Sequence, residues 1–200
     1  MNNKILLVIV GVAIGILGVL LATSAAQPGS MMSGWGYGQR IVGTGQIDRH
    51  FIEQMIPHHD GAIAMASLAL TKSNRSEIKI LVGSIIEAQT EEIQDMRGWY
   101  ENWFGKSVPE GTTAMMGGGM MSGGGMHMGG REDMAALENA SDFDRTFIEQ
   151  MIPHHQLAIM MAQMLKSGTN RPEMLSLADN IIESQSREIR EMQGWYEKWY

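Results

Sequence analysis

The sequence has no cysteine among its 200 residues. That absence excludes disulfide bridges, zinc fingers and thiol catalysis, so a soft metal ion would have to be bound by methionine and histidine. Basic charge is also scarce, because 15 lysines and arginines are outnumbered by 22 aspartates and glutamates, for a net charge of −7. Without a basic stripe to displace counterions from phosphates, a general nucleic-acid-binding role is not expected.

Methionine is the residue in excess. The chain holds 19 methionines and 24 glycines, whereas leucine and alanine lead in average proteins. Both residues are concentrated in particular segments, so their positions carry information about organisation and function.

The first 26 residues contain one lysine, an apolar run from Ile5 to Ala22, and then small residues up to Ala26. This order is typical of a secretory signal peptide. The run of about 18 residues is also just long enough to span a bilayer. Residues 1–26 are therefore predicted to be a signal peptide or a membrane anchor, with Lys4 cytoplasmic and the rest exported. The expected location is extracytoplasmic: periplasmic, secreted, or anchored to the outer face of the inner membrane by residues 5–22.

The stretch FIEQMIPHH occurs twice, at 51–59 and 147–155. The similarity extends further, because residues 48–104 align with 144–200 at a constant offset of 96, and 31 of the 57 pairs are identical. We interpret this as a tandem duplication. Each copy predicts two helices joined by a turn, SNRSE or GTNRPE. Because a helical hairpin buries only one stripe, the two hairpins are expected to pair as an all-α, antiparallel four-helix bundle.

The chain is predicted to have five segments. The leader, residues 1–26, is followed by a flexible Gly/Met tether at 27–45. Two hairpins, at 46–105 and 141–200, are joined by a Met/Gly-rich linker at 106–140. The linker is too rich in glycine to hold a helix or to form a core, and it is expected to be disordered.

Polar side chains interrupt the apolar stripes of both hairpins. At 100° per residue His58 lies in line with Met55 and Met65, and folding at the turn brings it level with Gln89. Each buried polar group needs a partner, because an unpartnered one is costly. The predicted convergent sets are Met55, His58, Met65, Gln89, Glu92 and Met96 in the first hairpin, and Met151, His154, Met161, Gln185, Glu188 and Met192 in the second.

The second histidine of each pair, His59 or His155, lies half a face away and is expected to reach the other hairpin. Pro57 and Pro153 are expected to loosen their helices just before the histidines, because proline removes a backbone donor.

Imidazole, thioether and carboxylate groups in one place can bind a transition metal, and thioether favours Cu(I). Two other interpretations remain open. His58 and Glu92 could form a buried hydrogen-bonded pair that only fixes the register of the helices. The stripe methionines could be core residues that fill irregular gaps.

The methionines of the linker have no core to fill. They lie among glycines on a flexible chain that can fold around an ion, so they are predicted to bind Cu(I). A weaker instance of the pattern occurs at Met31 and Met32, where the indole of Trp35 could cover a bound cation. The predicted linker ligands are Met115, Met116, Met120, Met121, Met126, His127 and Met128.

The segments FIEQMIPHHDGAIAMA and EAQTEEIQDMRGWYENW together resemble the exported bacterial domain-of-unknown-function family 305, and the resemblance covers both repeats. It implies a ferritin-like four-helix fold and copper handling, with some members periplasmic and linked to copper resistance. One departure is that Asp60-Gly61 becomes Gln156-Leu157 in the second repeat, so the two sites need not be equivalent. The family motif falls on Met55, His58, His59, Met65, Gln89, Glu92 and Met96, and on their second-repeat equivalents.

The predicted function is copper binding, buffering or chaperoning, with Cu(I) as the ion, no catalytic residue, and a delivery partner that the sequence does not identify. One alternative is a ferritin-like oxidase, but such sites use Glu-x-x-His motifs, whereas Glu53 and His58 are five residues apart. Another alternative is an interaction module that binds partner proteins through adaptable methionines.

Overall fold

The computed structural model describes residues 44–109 and 131–200. These ranges contain five helices and no strand, which confirms the all-α, four-helix-bundle prediction for the described part of the chain. The helices are α1 (Thr44–Lys72), α2 (Ser76–Phe104), α3 (Arg131–Glu138), α4 (Phe143–Lys166) and α5 (Pro172–Trp199).

Residues 1–43 and 110–130 lie outside the described ranges. The predicted leader with its apolar run at 5–22, nearly all of the tether, and every predicted linker ligand from 115 to 128 belong to them. Within 44–109 and 131–200, no helix is long and apolar enough to cross a membrane.

The helix ends follow local sequence signals. Asp142 precedes α4, and its Oδ1 accepts a hydrogen bond of 3.1 Å from the backbone N–H of Arg145, which satisfies an otherwise free donor. Pro172 occupies the first turn of α5, where its missing N–H costs nothing. Gly105 ends α2 with φ of 66°, a left-handed conformation that glycine adopts without strain.

Both hairpins pair through their first helices, since α1 packs against α2 and α4, and α4 packs against α5. Two apolar clusters fill the bundle at different heights. The first joins the N-terminal half of α1 to the C-terminal half of α4, and the second does the reverse, so α1 and α4 run antiparallel. Members of the first cluster include Phe51, Ile52, Met55, Met96, Tyr100, Met161 and Leu165. Members of the second include Met65, Ala66, Ile78, Ile85, Phe147, Met151 and Met192.

Two arginines in the hairpin turns hold the hairpins together. Arg171 Nε lies 3.1 Å from Asp48 Oδ2, and its guanidinium carbon lies 3.9 Å from the centroid of the Trp103 ring. Asp48 is fully buried, so this ion pair neutralises a charge that would otherwise be costly. At the equivalent positions Arg75 contacts Asp144 and Trp199.

Helix α3 lies inside the segment predicted to be a disordered linker. Leu137 is fully buried in the second cluster, and Lys72 Nζ donates a hydrogen bond of 3.0 Å to the carbonyl oxygen of Glu138. The linker prediction is therefore wrong for 131–138. The physical reason is that REDMAALE has no glycine and places Met134 and Leu137 on one face of a helix.

Candidate metal centre

A layer of polar side chains separates the two apolar clusters at mid-height of the bundle. Each of the four long helices contributes two of them, at equivalent positions in the two hairpins. Because polar groups are costly to bury without partners, their hydrogen bonds decide what this layer can do. We call it the central polar layer; it consists of His58, His59, Gln89, Glu92, His154, His155, Gln185 and Glu188.

Two histidines of the layer contact a glutamate on the neighbouring helix of their own hairpin. His59 Nε2 lies 2.6 Å from Glu92 Oε2, and His155 Nε2 lies 2.7 Å from Glu188 Oε2. Both imidazoles are fully buried. When Nε2–H donates to the carboxylate, the tautomer is fixed and Nδ1 carries the lone pair. Neither Nδ1 has a hydrogen-bond partner.

The other two histidines meet across the interface between the hairpins. The ring centroids of His58 and His154 are 3.8 Å apart, and the ring planes are inclined by 43°. All four ring nitrogens of this pair are buried and without a hydrogen-bond partner, as are Gln89 Oε1 and Gln185 Oε1. Protein interiors contain few such groups, so this layer concentrates nitrogen and oxygen atoms whose lone pairs are available to a ligand.

Burial keeps the central imidazoles neutral. Desolvation, together with smaller effects of the nearby His59 and His155, lowers the pKa of His58 to about 3, while the backbone of His154 opposes the shift. The pKa of His154 is also lowered, chiefly by burial and then by His58. Both rings therefore keep their lone pairs available at neutral pH.

The sequence prediction located this layer but exchanged the roles of adjacent histidines. It placed His58 against Gln89 and Glu92, and expected His59 to reach the other hairpin. The expected contacts with Glu92 and with the other hairpin were wrong, because His59 contacts Glu92 and His58 contacts His154. The reason is that α1 buries two adjoining faces, one against α2 and one against α4.

The six predicted stripe methionines are all buried, but they do not converge hairpin by hairpin. Met65 lies in the second cluster rather than beside Met55, because ten residues of helix span about 15 Å. Met161 likewise lies in the first cluster, apart from Met151 and Met192, which lie in the second. The resulting groups are Met55, Met96 and Met161 on one side of the layer, and Met65, Met151 and Met192 on the other.

The layer offers histidines in pairs. The ring centroids are 6.3 Å apart for His58 and His59, and 6.3 Å apart for His154 and His155. This separation equals the length of two metal–nitrogen bonds of about 2.0 Å plus the distance from each nitrogen to the centre of its ring. No group of three or more histidine, aspartate or glutamate side chains in the described ranges could hold a metal ion.

Comparison with known proteins relates this arrangement to one sequence family and to solved structures. The family model described as "Domain of unknown function (DUF305)" matches residues 48–196. CopM in its Cu(II)-bound form is 52% identical, with a TM-score of 0.67 over 76% of this chain and 97% of CopM. For the Cu(I)-bound form the identity is 46% and the TM-score 0.64, with the same coverage.

More distant similarities extend to other organisms. A DUF305 fragment from Deinococcus radiodurans is 27% identical, with a TM-score of 0.64 over 76% of this chain and 96% of that chain. The uncharacterized protein L153 of Acanthamoeba polyphaga mimivirus is 43% identical over 49 residues, which are 24% of this chain. The chain spans 32% of the length of that viral protein.

Proposed function

Because the chain belongs to the DUF305 family, we propose that it is a copper-binding protein whose central polar layer holds the ion. The observation that carries the proposal is the set of buried imidazole nitrogens in this layer that have no hydrogen-bond partner. The similarity to CopM supports it, since structures of that protein include Cu(II)-, Cu(I)- and Ag-bound forms.

The roles of the ligands follow from the hydrogen bonds. His59 presents Nδ1 to the ion, while Glu92 Oε2 accepts a hydrogen bond from Nε2–H and holds the ring in place. A carboxylate behind a histidine is the usual way in which proteins orient a metal ligand. His58 supplies the second nitrogen of the pair. In the second hairpin His154, His155 and Glu188 take the same roles, so we propose two ions per chain.

Charge favours a monovalent ion. Each half of the layer holds one carboxylate, and His58 and His154 stay neutral because burial lowers the pKa of each. A buried net charge is costly, and one monovalent cation per half cancels one carboxylate. Imidazole with a thioether nearby suits Cu(I), and its single positive charge balances the one carboxylate in each half of the layer. We propose Gln89, Gln185 and the six buried methionines as further ligands, in addition to the imidazoles.

The Met-rich linker is proposed as a second, more exposed copper-binding region, with ligands between Met115 and Met128. Together with a leader at residues 1–26, it fits an extracytoplasmic buffer or chaperone that collects copper and holds it in the bundle. In this proposal the chain binds the ion and does not turn over a substrate. Stopped-flow measurement of Fe(II) oxidation tests the oxidase alternative, and fast oxidation would contradict our proposal.

Competitive titration tests the site in the bundle. We would use the full chain with the linker methionines and His127 replaced by serine, and titrate it with Cu(I) against a chromophoric chelator under anaerobic conditions. We expect two ions per chain, and none after His58, His59, His154 and His155 are all replaced by alanine. His50→Ala is the matched control, because His50 is an exposed histidine on the same helix.

A second variant protects the test against misfolding. Glu92→Gln with Glu188→Gln keeps every proposed ligand and removes only the carboxylates behind His59 and His155. We expect Cu(I) affinity to fall by about 10–100-fold, with X-ray absorption still showing nitrogen ligands. Unchanged affinity in both the histidine and the glutamate variants would refute the proposed site.

A further inference from the structure

The seam between α2 and α5 is the open side of the bundle. The closely packed pairs are α1–α2, α1–α4 and α4–α5, whereas α2 and α5 enclose a groove of about 590 Å³. Four carboxylates line it, and no lysine or arginine is among the described residues that do so. We call it the α2–α5 groove; its carboxylates are Glu91, Glu92, Asp95 and Glu173.

One residue belongs to both the groove and the central polar layer. The side chain of Glu92 is 16% exposed and lines the groove, while its Oε2 lies 2.6 Å from Nε2 of His59. His59 itself is fully buried, and its Nδ1 has no partner. Glu92 therefore connects the groove to a buried imidazole, a connection that an acidic surface cluster alone would not provide.

The second half of the molecule offers an internal comparison. At the offset of 96, Arg187 stands at the position of Glu91, and Ile80, which is 72% exposed, stands at the position of Ser176. Glu188, the equivalent of Glu92, is only 8% exposed in its side chain. Three of the four groove carboxylates thus have an acidic equivalent, namely Glu188, Glu191 and Glu77. Arg187 reverses the fourth charge, so the second half is the less acidic of the two.

We propose that the α2–α5 groove is the route by which a monovalent soft cation reaches the central polar layer, passing Glu92 to His59. This inference rests on the proposed function. A cleft lined by one sign of charge raises the local concentration of counter-ions and their association rate. Carboxylates suit harder ions than Cu(I), so the groove attracts the ion without retaining it, and the imidazoles bind it.

The test compares association rates in two matched variants. Asp95→Asn with Glu173→Gln removes two groove charges, while Glu191→Gln with Glu77→Gln removes the same charges at the equivalent positions of the other half. Both would be made in the full chain with the serine-substituted linker. Ag(I) in chloride-free nitrate buffer is the probe, and stopped-flow tryptophan fluorescence follows its uptake at low and high ionic strength.

We expect the groove variant to bind Ag(I) about tenfold more slowly at low ionic strength, with a weaker salt dependence and unchanged stoichiometry. The matched control should keep the wild-type rate. Arg187→Glu with Ile80→Ser should accelerate uptake by making the second half resemble the first. Equal rates in the groove and control variants, with the ion still bound, would overturn the route alone. Absence of Ag(I) from the histidines of the wild-type chain would overturn the proposed function, and the route with it.

Discussion

The neutral imidazoles of the central polar layer predict that the metal-free protein loses stability as the pH falls below the pKa of an unfolded histidine. Burial lowers the pKa of His58 to about 3, and it lowers that of His154 as well. In the unfolded chain both rings take up a proton near pH 6.5. Below that pH the unfolded state binds more protons than the folded state, so the free energy of unfolding decreases with decreasing pH.

The size of the effect follows from this difference in proton binding. Between about pH 7.5 and about pH 5.5, each histidine that protonates only on unfolding lowers the free energy of unfolding by about 1.4 kcal/mol. The pair should therefore contribute about 3 kcal/mol, a large part of the stability of an ordinary domain. This window lies above the range in which exposed carboxylates titrate, so histidines dominate it.

Urea unfolding of chelator-treated protein at several pH values measures this slope. We expect His58→Gln with His154→Gln to remove about 3 kcal/mol of the change in unfolding free energy over this window, and each single variant to remove about half of that amount. His50→Gln should keep the wild-type pH dependence nearly unchanged, because His50 is exposed. If the double variant does not fold, imidazole proton shifts of the wild-type chain provide the same test. A wild-type slope in the double variant, or titration of His58 near pH 6.5 in the folded protein, would refute the reasoning.

Three further predictions concern packing and ligands. Arg171→Ala should destabilise the fold by about 3–5 kcal/mol, because it leaves Asp48 buried without its cation. Arg145→Ala should cost less than about 1 kcal/mol, because its partner Glu149 is exposed. Chemical denaturation measures both losses, and equal losses would contradict the role of Arg171. Leu137→Ala should cost about 2–3 kcal/mol and speed amide exchange in α3, and unchanged exchange would show that α3 does not depend on this contact. Met55→Leu should change the free energy of unfolding by less than about 1.5 kcal/mol. A loss of Cu(I) affinity in that variant would identify Met55 as a thioether ligand, whereas unchanged affinity would identify it as a core residue.

The layer was predictable from the sequence because it interrupts a regular pattern. A polar residue in an apolar stripe is visible without coordinates, and both hairpins repeat it at the same offset. Glu92 could be found in this way, since it lies on the α2 stripe with Gln89. The contact between His58 and His154 was harder to predict from the sequence. The available indication was that the two residues occupy equivalent positions of the two repeats, and such residues can meet where paired repeats face each other.

The amino-acid sequence by itself determined the helices, their turns and the identity of the polar layer, because periodicity, capping and proline placement act over a few residues. Only the tertiary structure decided which histidine meets which partner. Helix α1 buries one face against α2 and another against α4, and a helical wheel does not say how these faces are divided. The antiparallel pairing of α1 and α4 also placed Met161 in the cluster of Met55, and Met151 in the cluster of Met65. These contacts depend on the packing of segments 96 residues apart, which no local pattern encodes.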